Sequence, residues 1–150
     1  MTSEPLLAAE KLNNDPRLAE AKRLILDAVA EHQETLVSVR PPRPELAVDY
    51  EQLLDQFGAI RGGKTFFPYL GSGIGNGPFV ELADGSVKLD LITGIGVHGY
   101  GHSHPRLINA GIDAAISDTV MQGNLQQNTS SCDIVKLLTD VACESGAGLK

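Results

Sequence analysis

Glycine is distributed unevenly along this 150-residue chain, and that distribution constrains the fold more than any other feature of the sequence. None of the 16 glycines precedes Gly58, whereas 12 of them lie between Gly58 and Gly101. Glycine weakens helices and is tolerated where the backbone must turn or approach another group closely. The sequence therefore predicts three regions: a helical leader over 1–57, glycine-rich loops with a hairpin over 58–104, and further helices over 105–150.

The overall composition narrows the class of protein. The chain carries 12 Lys and Arg residues against 19 Asp and Glu residues, for a net charge of −7. A nucleic acid or an anionic membrane would favour a basic surface, so neither is expected as a partner. No run reaches the ~18 apolar residues that a membrane-spanning helix needs. Because the chain has two cysteines and no apolar leader, a reduced cytoplasmic protein is expected.

The leader is predicted to contain two helices joined by a proline-rich linker. The first helix is expected to start at Asp15-Pro16, because the Asp side chain can cap it and proline lacks the N–H that would go unpaired there. The residues before it, 1–14, are expected to be frayed. The prolines of 40–44 favour an extended linker. A second helix is predicted over 49–57, with the next glycine as its stop.

In the glycine-rich region the periodicity changes to the alternation of strands. Residues 79–92 predict a β-hairpin with Asp84-Gly85 as its two-residue turn. The flanking segments 71–77 and 93–103 are predicted to be loops. The aromatic side chains of the region are expected at the edge of the core: Phe66, Phe67, Tyr69 and Phe79.

The last region is helical again. One helix is predicted over 105–119, with proline in its first turn. Ser130-x-x-Asp133 resembles a capping box before a second helix over 131–145, and Gly146 is expected as its C-cap. Apolar residues recur on one face of each helix, and these faces would normally be covered by other parts of a protein. The polar segment 121–129 between the helices predicts a loop.

The stretch from Gly94 to Gly99 matches the G-x-G-x-x-G pattern of dinucleotide-binding loops and follows a predicted strand. In the dinucleotide-binding fold a helix opens at that turn, so that its first N–H groups hold the pyrophosphate. Here the helix start at Pro105 comes six residues later, and the preceding strand belongs to an antiparallel hairpin. A turn permitted by glycine is therefore expected in place of a dinucleotide site.

His98, His102 and His104 lie within seven residues of one another, which could suggest zinc. A structural zinc site needs four nitrogen or sulfur ligands. Cys132 and Cys143 are 11 residues apart on one predicted helix, which is too far for them to bind one ion together. His104 is instead expected to cap the following helix, and both cysteines are expected to be buried free thiols.

Two lysines, Lys64 and Lys88, lie in the interior of the sequence outside the predicted helices. Either could in principle form a Schiff base with a carbonyl compound. Because Lys88 alternates with Val87 and Leu89 on the hairpin, a solvated strand face is expected for it.

Several linked motifs run from Asp84 to Pro105: a D-G hairpin turn, then L-D-L-I-T-G-I-G-V, then G-H-S-H-P at the start of a helix. In this order and spacing they resemble the amino-terminal region of class III aminotransferases. These are the pyridoxal-phosphate (PLP) enzymes of fold type I that include acetylornithine, ornithine and 4-aminobutyrate aminotransferases. The similarity runs from about Pro68 to the end of the chain.

The resemblance implies an α+β fragment, in which leader helices and a small antiparallel sheet are followed by helices that lead into a large α/β PLP domain absent from this chain. It implies the amino-terminal segment of a homodimeric enzyme that transfers an amino group from an amine or ω-amino acid to a 2-oxo acid. The family's phosphate-binding turn and Schiff-base lysine have no counterpart here. No catalytic residue is therefore expected in these 150 residues, and alone they should bind PLP weakly and be inactive.

The resemblance also implies a substrate wall. In relatives an aromatic residue often stands at the position of Gly94, so glycine implies a roomier pocket, or one filled by another segment such as Tyr69 or Tyr100. The residues aligned with the wall are Thr93, Gly94, Ile95, Gly96 and Val97.

A second part of the resemblance concerns the dimer. Gly123 and Asn124 match a family loop near the active site at the dimer interface, and Gln126 stands where the family has an aromatic residue. No metal ligands are expected. Two other classes of function stay open: a non-catalytic binding or interaction module built on the hairpin and helices, and a small histidine-based metal site.

Overall fold

The structure is a computed structural model that describes residues 6–117, 129–144 and 146. Within these residues the architecture is α+β, with five α-helices and a three-stranded antiparallel sheet, as the sequence predicts. In chain order the elements are α1 (Ala8–Asn13), α2 (Pro16–Gln33), a 3-10 helix (Pro44–Leu46), α3 (Ala47–Arg61), β1 (Gly71–Asn76), β2 (Phe79–Leu82), β3 (Val87–Leu89), α4 (Pro105–Ile116) and α5 (Thr129–Glu144).

The chain groups into two compact units, Met1–Ile112 and Asp113–Lys150, and the division falls within α4. The first unit holds the sheet, α1 to α3 and most of α4. The leader and the glycine-rich region share this unit because the linker pairs with the sheet: Arg40 and Val87 each donate a backbone hydrogen bond of 3.0 Å to the other's carbonyl. The linker is thus extended at its start, as predicted, and ends in the 3-10 helix.

Helix α2 begins where the sequence predicts. Asp15 Oδ1 accepts a hydrogen bond from the backbone N of Arg17 at 2.9 Å, and proline occupies the first helical position. These features satisfy N–H groups that a helix start leaves unpaired. The segment before it, expected to be frayed, instead forms α1 over Ala8–Asn13, where Leu7 N donates to Glu10 Oε2 at 2.7 Å.

Helix α3 is longer than the predicted 49–57, because it passes through Gly58 and ends at Arg61. Gly62 follows with a φ of 81°, the left-handed conformation that terminates a helix. The prediction chose the wrong glycine because a stop depends on a positive φ, which the sequence does not reveal. The carbonyl of Gly58 accepts a hydrogen bond of 2.8 Å from Gly63 N and so belongs to the helix end.

The sheet contains a strand that the sequence prediction missed. Residues 71–77 were expected to form a loop, but Gly71–Asn76 is β1 and pairs antiparallel with β2. Strand pairing uses backbone groups alone, so a glycine-rich segment can pair where its surroundings hold it. A Cβ at Gly75 would lie 2.5 Å from His102 Cβ, so glycine is required there for close approach.

The hairpin of β2 and β3 confirms the predicted hairpin, but β3 ends at Leu89, short of the predicted residue 92, and the turn is longer. Leu82 N donates to Ser86 O at 2.9 Å, which leaves three residues in the turn where two were expected. Gly85 has a φ of 76°, and its N donates to Leu82 O at 2.9 Å. This is the pattern of a three-residue hairpin loop whose last residue is left-handed.

The core of the described residues is small. The Tyr50 hydroxyl joins α3 to the segment before β1, since it donates to Pro68 O at 2.7 Å and accepts from Leu70 N at 2.9 Å. The aromatic residues at 66, 67 and 69 were expected at a core edge but are exposed, with Phe66 at 90%. The buried apolar side chains are Leu36, Tyr50, Leu82 and Val87.

Helix α4 starts at the predicted proline, and His104 caps it as predicted: its Nδ1 accepts a hydrogen bond of 3.2 Å from Arg106 N. Helix α5 starts at Thr129, so Ser130 lies inside the helix and not at the predicted N-cap. Gly146 has a φ of 78° and donates its N–H to Cys143 O at 3.0 Å, as expected near a C-cap.

No helix of the described residues has both the length and the apolar character needed to cross a bilayer.

The apolar face of α5 is exposed. Its exposed apolar residues are Ile134, Val135, Leu137, Leu138 and Val141. Cys132 and Cys143 are also exposed, which corrects the expectation that they are buried. Gly123, Asn124 and the predicted loop up to residue 128 lie outside the described residues.

Candidate functional site

The loop after β3 carries the residues predicted to form a substrate wall, and both of its ends are fixed to one turn of the sheet. Asp90 N donates to Pro78 O at 2.8 Å, and His102 N donates to Gly77 O at 2.8 Å. Residues 91–101 therefore leave and return at the same place, beside the turn between β1 and β2. The sheet thus determines where this loop lies.

A single carboxylate joins the two ends of the loop. Asp90 Oδ1 accepts hydrogen bonds of 2.9 Å from the backbone N of Ile92 and of Thr93, and Oδ2 lies 2.7 Å from His102 Nε2. The His102 imidazole, together with the N–H groups of Thr93 and Ile92, holds the pKa of Asp90 below its ordinary value. The Asp90 and His102 side chains are 17% and 15% exposed, so solvent competes little for this contact.

Two imidazole rings stack at this point. The ring centroids of His98 and His102 are 4.2 Å apart, and the ring planes differ by 26°. Gly94 makes room for this arrangement, since a Cβ there would lie 3.1 Å from His98 Cδ2 and 3.4 Å from Val97 Cβ. The space beside Gly94 is therefore covered by His98, a residue that sequence reasoning had assigned only to a turn.

These groups line a cavity of about 410 Å³ on one face of the sheet. Val80 and Lys88 are directly opposite in the β2–β3 pairing, so their side chains share this face. The apolar lining consists of Val80, Leu82, Leu89, Leu91 and Ile92, and the polar lining of Tyr69, Lys88, Asp90, His98 and His102. Lys88 is half-buried at this cavity, which corrects its assignment to a solvated strand face.

The predicted wall residues are divided by the structure. Gly94 lines the 410 Å³ cavity, and Thr93 lines an adjoining cavity of about 320 Å³. Ile95 and Val97 are 93% and 73% exposed, and the space beside Gly96 is open. Thr93 and Ile95 have φ angles of 53° and 58°, which are unfavourable for β-branched residues. The loop is held in a strained shape with apolar side chains directed outward.

Sequence reasoning missed Asp90, which organises the loop. One signal was available, because an Asp that directly follows a strand and precedes a glycine-rich turn commonly accepts hydrogen bonds from the next N–H groups. Its second partner, His102, is 12 residues away along the chain. That contact depends on where the sheet returns the loop, and spacing alone does not reveal it.

The cavity does not fit PLP as a complete binding site. PLP chemistry requires an amine, a phosphate cradle and an anion at the pyridine nitrogen. Lys88 is an amine, but the Asp90 carboxylate already accepts from two backbone N–H groups and contacts His102 Nε2, and the described residues contribute no phosphate cradle to this cavity. A metal ion is not supported either, since no three His, Cys, Asp or Glu side chains of the described residues are grouped to hold one.

The chemistry that the cavity does offer is recognition. An ammonium group and imidazole N–H groups can bind an anion, and the valine and leucine side chains can cover a hydrocarbon body. The chain matches no protein-family model, no curated protein and no solved structure. The resemblance to class III aminotransferases therefore rests on the motifs from Asp84 to Pro105.

Proposed function

We propose that the chain is the amino-terminal segment of a class III, PLP-dependent aminotransferase that acts in the cytoplasm as a homodimer. Its substrates are a small-molecule amino donor, an amine or ω-amino acid, and a 2-oxo acid acceptor. The observation that carries the proposal is the order and spacing of the motifs from Asp84 to Pro105. Three structural features support it: the D-G turn closes a hairpin, the L-I-T-G-I-G-V segment forms the following loop, and G-H-S-H-P opens α4.

In this proposal the chain contributes a wall of the substrate pocket, and the PLP-binding and catalytic groups lie elsewhere in the protein. PLP in the complete enzyme supplies the electron sink for amino-group chemistry. The part played by this chain is to hold the loop 91–101 in one position. Asp90 does so by accepting hydrogen bonds from the start of the loop and contacting His102 at its end.

The reading frame of the gene beyond Lys150 gives the most direct test. The proposal predicts a Ser-Gly-Thr or Ser-Gly-Ala turn soon after this residue and a Schiff-base lysine much later. A frame that contains neither would contradict the proposal and favour a binding module.

Cofactor retention gives a second test. The 150-residue chain and the full-length protein are incubated with PLP, separated from free cofactor by gel filtration, and assayed for visible absorption and amino transfer. Only the full-length protein is expected to retain the visible absorption of bound PLP and to transfer an amino group. Without a phosphate cradle and an anion at the pyridine nitrogen, the lysines of the short chain form at most weak, exchangeable imines. Stoichiometric PLP on the short chain would show that the chemistry is assigned to the wrong residues.

A non-catalytic interaction module is the second candidate function, and one observation favours it. Large apolar side chains are widely exposed, with Ile60 at 87%, Phe66 at 90% and Leu91 at 84%. Such surface marks interaction sites. The chain is therefore expected to self-associate, and sedimentation showing a strict monomer at high concentration would count against this. The reading frame distinguishes the two candidates, because a module needs no phosphate-binding turn.

A further inference from the structure

The 410 Å³ cavity is lined by one lysine, Lys88. Among the described residues no carboxylate forms an ion pair with this ammonium group. A lysine beside apolar side chains gains from an anionic ligand more than a fully hydrated lysine does, because competition from water is reduced. The ammonium group is therefore available to a ligand that enters the cavity.

Among the described residues, the carboxylate that lines the cavity is that of Asp90. Asp90 accepts from Ile92 N and Thr93 N and contacts His102 Nε2, so both of its oxygens are engaged. These donors stabilise its negative charge, and no ion pair joins it to Lys88.

His98 is another polar residue that lines the cavity. Its ring stacks on His102, and its backbone N donates to Thr93 O at 2.8 Å, so the imidazole is held in place. A neutral imidazole offers one N–H donor and an imidazolium offers two. The rest of the lining is largely hydrocarbon from the two strands and the start of the loop.

We propose that this cavity binds a small monocarboxylate with a branched hydrocarbon body. Lys88 and His98 receive the carboxylate, and the valine and leucine side chains cover the body. This goes beyond the proposed function, which assigns a ligand contact to neither residue. It requires no PLP, so its failure and the failure of the aminotransferase proposal are distinguishable.

The test titrates the 150-residue chain with 4-methylpentanoate and follows the imidazole C–H signals of its histidines by NMR. Saturable shifts of the His98 and His102 signals are expected. The neutral isostere 4-methylpentanamide is expected to bind at least about tenfold more weakly, because a hydrogen bond to a charged group contributes more than this factor. Acetate and inorganic phosphate should also bind more weakly by a similar factor, because both lack the hydrocarbon body.

Variants locate the binding groups. Lys88→Met is expected to weaken 4-methylpentanoate at least about tenfold, and Lys88→Arg, which keeps the charge, to stay within about threefold. His98→Leu should also weaken it. Lys11→Met is the matched control, since Lys11 is an exposed lysine on α1. Amide spectra of the sheet residues establish that each variant is folded.

Four results would overturn the proposal. They are equal binding of the amide and the carboxylate, equal binding of inorganic phosphate, undiminished binding by folded Lys88→Met, and no saturable shift in the unmodified chain. The comparison of ligands on the unmodified chain decides the matter even if a variant fails to fold.

Discussion

Replacing Gly75 with alanine tests how the loop is attached to the sheet. A Cβ at this position would lie 2.5 Å from His102 Cβ, 3.0 Å from its Cγ and 2.6 Å from Phe79 O. Real Cβ atoms do not approach other heavy atoms at 2.5 or 2.6 Å, and Phe79 O is a backbone atom. The variant can therefore form only if His102 moves away from the sheet or β1 separates from β2.

The expected cost of Gly75→Ala is roughly 2 to 5 kcal/mol in the free energy of unfolding. Overpacking of this kind costs about 1–3 kcal/mol. Displacing His102 also weakens its 2.7 Å contact with Asp90, and hydrogen bonds to charged groups are worth about 1.5–3 kcal/mol. The lower backbone entropy of alanine in the unfolded chain offsets about 0.4–1 kcal/mol.

Urea unfolding followed by circular dichroism measures this cost. Gly111→Ala is the matched control, because Gly111 lies in α4 where an added methyl group would meet nothing within 4 Å, and alanine there is expected to stabilise by up to about 1 kcal/mol. The imidazole signals of His102 report its displacement independently. Stability of Gly75→Ala within about 0.5 kcal/mol of the parent, with unchanged His102 signals, would refute the close approach.

Other parts of the structure make three further predictions. Because the pKa of Asp90 is depressed in the folded state, its carboxylate stabilises the fold at pH values above ~3.9, the ordinary pKa of Asp. This contribution is lost as the pH falls through the lower pKa of the folded state, so acid unfolding should be less steep in Asp90→Asn. Tyr50→Phe should lower the free energy of unfolding by roughly 1–3 kcal/mol in urea titrations, since it leaves two backbone groups without their hydroxyl partner. Cys132 and Cys143 should both react with a thiol reagent without denaturant, and protection of either would contradict its exposure.

Helix starts could be predicted from the sequence because their signals are local. Asp15-Pro16 and His104-Pro105 each combine a side chain that accepts from the first turn with a proline that needs no partner there. Strand β1 could not be predicted, because glycine offers no alternation of apolar and polar side chains. Its pairing depends on β2 and on the approach of His102 to Gly75, contacts between residues distant in sequence.

The residues that compose the candidate site could not be predicted from the sequence. The resemblance directed attention to the loop around Gly94, and this residue does line a cavity. Three polar residues of the cavity had other predicted places or none. Lys88 was assigned to a solvated strand face and His98 to a turn, and Asp90 was given no role. Their convergence requires both the β2–β3 register and the return of the loop to Gly77, and neither follows from spacing.

The strained backbone of the loop 91–101 persists because polar contacts fix its two ends to the sheet. Left-handed conformations of β-branched residues cost on the order of 1–3 kcal/mol each, and Thr93 and Ile95 both adopt them. Such a loop would relax if its ends were free, yet Asp90 holds Thr93 N at one end and His102 at the other. Asp90 contacts His102, and the ring of His98 stacks on His102. The shape of the loop and the position of His98 at the cavity are therefore coupled. A ligand that binds Lys88 and His98 would therefore contact this loop directly through His98, whose ring stacks on His102.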